Sequence, residues 1–217
     1  MEKLLSEIHR RFRLAMNGVV SSSMRAKGMP YKVNFGVSLP QLKQIAAQYR
    51  PDAALAKCLW SENIRESRLL ATFLQPRESF SEEEALQWMR QSDTPELADL
   101  LCMNLLQYLP DASGLALRAI SEENVLGKRA GYALVGRLFS GRQVFDAVRL
   151  TAFIRAAEDD LLLGDSRLSG YIIQSLRYAV CNVDMAPHIL EAFVAGTLVG
   201  DELILEYDYY RRSFSDM

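Results

Sequence analysis

Two ionisable residues in this chain stand apart from the apolar stripes of their own helical segments. Asp99 falls on the side of its segment shared with Cys102, Met103 and Leu106, away from the stripe of Leu97, Leu101 and Leu105. A carboxylate set beside apolar groups either finds a cation or has its pKa displaced. Arg129 is followed by Ala133 and Gly136 at i+4 and i+7, small residues that leave the guanidinium room to reach outward. Such an arginine is presented to an anion in a groove, or it is satisfied by a carboxylate on a neighbouring helix. A third set, Arg167, Tyr171, Gln174 and Tyr178, recurs at i, i+4, i+7 and i+11 and lays a cation, two rings and an amide along one helix face. Its tyrosines offer flat π surfaces to a ligand, or pack on an adjoining helix with their hydroxyls at the rim. With His9 and His188 the only histidines, a histidine-built metal site or triad is not expected, and no Gly-rich phosphate loop, nucleophile elbow or zinc spacing is present.

The elements that must position these residues are helices. Apolar residues recur at helical spacing nearly throughout, and no alternating run is long enough to build a sheet. Helices are expected over Glu2–Met16 and Val19–Arg25, then, after a loop broken by Gly28, Pro30 and Gly36, from a Ser38 cap with Pro40 in its first turn. The next run from after Pro51 to Trp60, from Asn63 through Phe73, and from a Ser81/Glu84 capping box through Trp88. Thr94 and Pro95 start the helix that carries Asp99, which is expected to continue to Tyr108. Others follow over Ser113–Ile120, Glu122–Phe139, Gln143–Ala157, Asp165–Val180 and Ala186–Val194, with a short helix or tail around EYDYYRRSF. The helix through Arg129 is apolar on two flanks, Leu126, Ala130, Leu134 and Leu138 on one and Val125, Tyr132, Val135 and Phe139 on the other, so it is a middle layer. Trp60 and Trp88 sit among leucines at helical spacing and belong to the core.

A weak repeat accompanies this pattern. SENIRESR at 61–68 returns as EENVLGKR at 122–129, each with an arginine five residues after its asparagine. Stacked helix pairs of the HEAT type have repeats of roughly 40 residues and present an extended face to partners. At 217 residues, 49% hydrophobic and 24% charged, the chain can bury one substantial core, and it is read as a single domain over residues 1–217. No segment approaches a membrane span and the amino terminus lacks an apolar leader, which implies a cytoplasmic protein without membrane partners. Cys58, Cys102 and Cys181 are dispersed among apolar residues and read as buried reduced thiols. Charge is segregated: up to Lys32 seven basic residues face Glu2 and Glu7, and from Ala156 onward four arginines face eleven carboxylates. A pI near 5.8 argues against indiscriminate polyanion binding, yet leaves space for a local basic surface.

Four segments together resemble the HEAT-like repeat alkylpurine DNA glycosylases of the bacterial DNA alkylation repair family. They are NFGVSLPQLKQIA at 34–46, with Pro40 and Lys43; LWSENIRESRLLA at 59–71, with Arg65, Glu66 and Ala71; the helix containing Asp99; and ENVLGKRAGY at 123–132, with Arg129 and Ala130. The similarity covers about residues 29–180. It implies an all-α, HEAT-like helical-repeat solenoid that binds duplex DNA as a monomer, needs no cofactor, and hydrolyses the N-glycosidic bond of alkylated, cationic purines. The family aspartate corresponds to Asp99 and the family arginine to Arg129; its two tryptophans correspond to Pro95 and Gln174. A fixed carboxylate would stabilise the oxocarbenium character of the sugar or orient water, and a purine already carrying positive charge leaves without a general acid. Arg129 would hold a phosphate beside the lesion, with Lys43, Arg65, Arg68 and Lys128 extending the contact. Proline and glutamine cannot supply the π surface of the tryptophans, and Tyr171 or Tyr178 is the candidate to replace it. Three readings therefore stand: a glycosylase through Asp99, a DNA-binding relative that leaves the bond intact, and a HEAT-type scaffold for a protein partner, the last supported by the acidic carboxy-terminal third.

Overall fold

The computed structural model describes residues 1–29, 31–193 and 197–214. Among the described residues the regular structure is helical, with one isolated parallel bridge between Val33 and Ile64. Contacts sort the chain into two compact units, Met1–Ala85 with Ser92–Leu109, and Leu86–Gln91 with Pro110–Met217. Among the described residues no helix is long and apolar enough to cross a membrane.

The first unit contains α1 (Glu2–Leu14), α2 (Gly18–Ala26), α3 (Leu39–Ala46), α4 (Ala53–Ser61), α5 (Arg65–Leu74), the start of α6 (Glu82–Arg90), and α7 (Pro95–Asn104). Its helix starts follow the expected chemistry. Ser38 and Gln41 form a reciprocal capping box on α3, Thr94 accepts the Leu97 N–H to start α7, and Ser81 exchanges bonds with Glu84 at the head of α6. Trp60 is a core residue of this unit, 3% exposed, and Trp88, in the part of α6 that belongs to the second unit, is also buried, 5% exposed. Two boundaries differ from expectation. Asn63 does not cap α5: its carbonyl accepts the Val33 N–H at 3.3 Å while Val33 accepts the Arg65 N–H at 3.1 Å, so this backbone is spent on the bridge and the helix begins two residues later. α7 ends at Asn104, and Leu106–Tyr108 forms a separate 3-10 turn, because Leu105 leaves helical geometry as both Leu105 and Leu106 turn into the core.

The second unit holds the rest of α6 with α8 (Ala112–Ile120), α9 (Val125–Ser140), α10 (Ala147–Leu163), α11 (Ser166–Val180), α12 (Ala186–Ala192) and α13 (Leu198–Phe214). As the two-flank pattern requires, α9 is the middle layer: its pairings with α8 and α11 are the most extensive in the chain. Gly131 is what lets α8 approach, since a Cβ there would lie 2.8 Å from Ile120 Cγ1 and 2.9 Å from the Ala116 carbonyl oxygen. α10 starts and ends later than apolar spacing suggested, at an Asp146 cap that accepts the Arg149 N–H and at Gly164 in the left-handed region, φ +69°. The segment expected to be a short helix or tail is the 17-residue α13. Val194, the expected end of α12, lies outside the described residues. Cys102 is buried, whereas Cys58 and Cys181 are half-buried, and all three are free thiols.

Candidate nucleic-acid interface

The segments that carry the family resemblance in the first unit meet in a buried ion network. The Glu66 carboxylate, 0% exposed, accepts the backbone N–H groups of Phe35 at 3.0 Å and Val37 at 3.2 Å. Arg65 lies beside it, 4% exposed, donating from Nη1 to Glu66 at 2.9 Å and to the Val37 carbonyl at 3.0 Å, and through Nε and Nη2 to both oxygens of Glu96 at 2.8 and 2.6 Å. Burial opposes the charge on Arg65, but the hydrogen bonds and charge of Glu96, with the charge of Glu66, outweigh it and raise its pKa. Arg65 was expected as an extended phosphate contact; the structure places it inside instead, because three acceptors converge on it from α5, α7 and the loop before α3. Between Phe35 and Val37, Gly36 is in the left-handed region at φ +70°, and a Cβ there would lie 2.3 Å from the Asn17 carbonyl oxygen. The Phe-Gly-Val segment is thus a strap clamped on one side by Glu66 and pressed on the other against the start of α2. Arg68, also expected as a phosphate contact, is largely covered and lies over the Trp60 ring with Nη1 3.4 Å from Asp93.

Asp99 does not occupy the apolar surroundings that spacing suggested. It is exposed, while α7 turns Leu97, Ala98, Leu101 and Cys102 inward. Pro95, the first residue of α7, is exposed as well, and so is Lys43 on α3. Behind the start of α7, the buried Tyr31 hydroxyl shares a 2.7 Å hydrogen bond with Thr94 Oγ1. Burial is the main cause that pushes the Tyr31 pKa up to about 12. Below pH 10 the phenol is neutral in both folded and unfolded chains and its contribution is intact. Between roughly pH 10 and 12 the unfolded chain gives up that proton while the folded one keeps it, so stability falls as pH rises through this window. Urea titrations from pH 8 to 11.5 are expected to show this decline, and Tyr31→Phe to flatten it by about one proton; an identical slope in the variant would remove Tyr31 from the effect.

In the second unit Arg129 is 6% exposed. The outward arginine over small residues is therefore corrected, for a physical reason: Gly136 does not open a groove but seats α11, with Ser175 Cα 3.6 Å and Tyr178 Cδ2 3.8 Å from where its Cβ would be. Lys128 is engaged too. Its Nζ lies 2.5 Å from Oδ1 of Asp160, and Oδ2 of the same carboxylate accepts the Tyr132 hydroxyl at 2.7 Å. Asp160 is 3% and Tyr132 0% exposed, and burial, reinforced by the Asp160 hydrogen bond and charge, raises the Tyr132 pKa far out of the working range. This cluster ties α9 to α10. Sequence reasoning missed Asp160 because it reads as one of three acids in a row on an amphipathic helix.

On α11, Gln174 is exposed, Tyr171 half-buried and Tyr178 38% exposed. Arg167 is spent locally on Asp165, whose pKa it holds down at about 2. Two clefts of the second unit, one between α10 and α12 beside Arg155, Glu158, His188 and Glu191, the other between α11 and α13 beside Arg177 and Glu206, contain none of the expected site residues. Among the described residues no group of three metal-ligating side chains occurs.

Helix pairs stacked through a middle layer define a HEAT-like helical-repeat protein. A solved structure, described as a new family of proteins related to the HEAT-like repeat DNA glycosylases with affinity for branched DNA structures, shares this fold at a TM-score of 0.79 and 15% identity, over 95% of this chain and 94% of that one. The sequence model described as DNA alkylation repair enzyme matches residues 10–158, and the chain belongs to that family. No curated protein matches the sequence.

Proposed function

We propose that this protein binds duplex DNA, altered or branched, as a cytoplasmic monomer that uses no cofactor, with the whole chain serving as one HEAT-like domain, and that it leaves the glycosidic bond intact. Membership of the DNA alkylation repair family supports DNA as the ligand, and the fold is shared with a protein described as having affinity for branched DNA. The observation that carries the non-cleaving reading is the pair Pro95 and Gln174. Both are exposed where the family resemblance expects tryptophans, and neither offers a π surface to a cationic base. Asp99, Lys43, Gln174 and Tyr171 are the contacts in this reading, while Arg65, Lys128 and Arg129 shape the surface from within.

A second reading rests on Asp99, which is exposed on α7. Covered by bound DNA, such a carboxylate can stabilise an oxocarbenium-like sugar. The deciding experiment is single-turnover release of 7-methylguanine and 3-methyladenine from an alkylated duplex, at protein concentrations where fluorescence anisotropy shows binding. The expected result is binding that weakens steeply with salt and no release above background. Release that Asp99→Asn abolishes would establish the glycosylase, and absence of binding would turn attention to a protein partner.

A further inference from the structure

We propose that the turn between α1 and α2 is a DNA-binding wedge. In this arrangement Leu14, Met16 and Val19 insert at a base step whose stacking is already interrupted, while Arg10 and Arg13 hold the phosphates beside it. The proposal rests on the DNA reading above and specifies a surface that the expected site residues do not include. Its first support is exposure. Leu14, Met16 and Val19 are 77%, 58% and 81% exposed, three apolar side chains in six residues on a turn that follows a helix whose Ile8 and Phe12 are fully buried.

The second support is rigidity. The backbone of this turn is tied to the strap below it: Asn17 N–H donates to the Phe35 carbonyl at 2.9 Å, Ser21 Oγ donates to the Asn34 carbonyl at 2.7 Å, and Asn17 Oδ1 accepts the Val20 N–H at 3.1 Å. The apolar tip is thus held in place while its side chains face solvent, so inserting them requires little ordering of the chain.

The third support is charge. Between Glu7 and Asp52 there is no carboxylate, yet the interval carries Arg10, Arg11, Arg13, Arg25, Lys27, Lys32, Lys43 and Arg50. Arg11 pairs with Glu7; Arg10 and Arg13 are exposed and, among the described residues, form no ion pair. Arg10 lies at i−4 from Leu14 and at i−3 from Arg13, so it neighbours both on the helix surface and phosphate contacts can flank the inserted side chain. Across the turn, exposed Ser22 and Ser23 sit at i+3 and i+4 from Val19 and can donate to further phosphate oxygens.

A polyanion is the occupant this charge fits, and DNA suits it better than an anionic membrane. An interfacial helix lies on a long apolar face, and the apolar face of α1, Ile8 and Phe12, is 0% exposed within the protein. Three apolar side chains at a tip match a base step, and wedges of this kind bind where unstacking costs least, at a branch or interruption.

The test uses the full chain, a three-way junction with 2-aminopurine at the branch step, and a linear duplex of equal length. Wild type is expected to prefer the junction and to raise the 2-aminopurine fluorescence as the step unstacks. The triple variant Leu14→Ser, Met16→Ser, Val19→Ser is expected to lower the junction-to-linear affinity ratio about tenfold and to abolish the fluorescence rise. Arg10→Ser with Arg13→Ser is expected to weaken binding to both DNAs and reduce the salt slope by about 2. Because these residues are exposed, circular dichroism and melting should be unchanged. An unchanged ratio and fluorescence in the triple variant overturns the wedge while leaving DNA binding standing. Failure of the wild type to bind either DNA overturns both, and vesicles of phosphatidylcholine with phosphatidylglycerol that retain wild type but not the triple variant would assign the tip to a membrane instead.

Discussion

Glu66→Ala destabilises the folded chain by about 3–5 kcal/mol, the range for removing one partner from a buried ion pair. The substitution leaves the Phe35 and Val37 N–H groups without their acceptor and takes from Arg65 one of the two carboxylates that offset its burial. Glu96 remains, so the guanidinium stays charged in a site that has lost half its compensation. Denaturant unfolding, followed by circular dichroism, gives the magnitude directly. Glu66→Gln, which keeps one acceptor oxygen and the volume but not the charge, should fall between wild type and alanine. A loss of less than about 1 kcal/mol for the alanine variant would mean that the strap holds without its carboxylate. Since the strap also carries the α1–α2 turn, Glu66→Ala is further expected to loosen that turn, visible as faster amide exchange at Asn17 and Ser21.

Asp160→Ala carries an expected loss of similar size, about 3–5 kcal/mol, from a different cause. Here one carboxylate serves two donors on the preceding helix, the Lys128 ammonium and the fully buried Tyr132 hydroxyl. Truncation leaves the hydroxyl without that acceptor and the ammonium without a counter-charge at the start of α9. A double-mutant cycle separates the two. Asp160→Ala with Lys128→Met should recover part of the loss, because a pair replaced on both sides no longer strands a charge, whereas Asp160→Ala with Tyr132→Phe should recover the portion that belongs to the hydroxyl. Simple additivity in both cycles would show that Asp160 acts through neither partner.

These two networks explain why some motif residues are legible in sequence and yet misplaced by it. Arg65 and Glu66 are recognisable as a pair, and their neighbourhood on α5 is readable from spacing. What makes them internal is Glu96, on another helix, together with two N–H groups of a loop nearly thirty residues earlier. Arg68 and Lys128 follow the same logic: a basic residue on a helix looks like a solvated or DNA-facing charge until a carboxylate from a distant segment is brought to it. Asp99 errs in the opposite direction. Its nearest residues at helical spacing are apolar, but α7 rotates so that Cys102 is inside and Asp99 outside.

Helical periodicity, caps and composition determined the all-α class, most of the helix starts, the core tryptophans and the middle-layer role of α9, because each depends on residues within a turn or two of one another. The acid-free interval from Glu7 to Asp52 is equally a property of the sequence, since charge requires no fold to be counted. Only the tertiary structure decided which arginines are inside, that Gly136 is a seat for α11 rather than an opening beside Arg129, and that the apolar residues of the α1–α2 turn remain in solvent. Those outcomes depend on which helix covers which face. That is settled by pairing between segments far apart in the chain, where a glycine is compatible with either an open notch or close approach, and an arginine with either a ligand or an internal carboxylate.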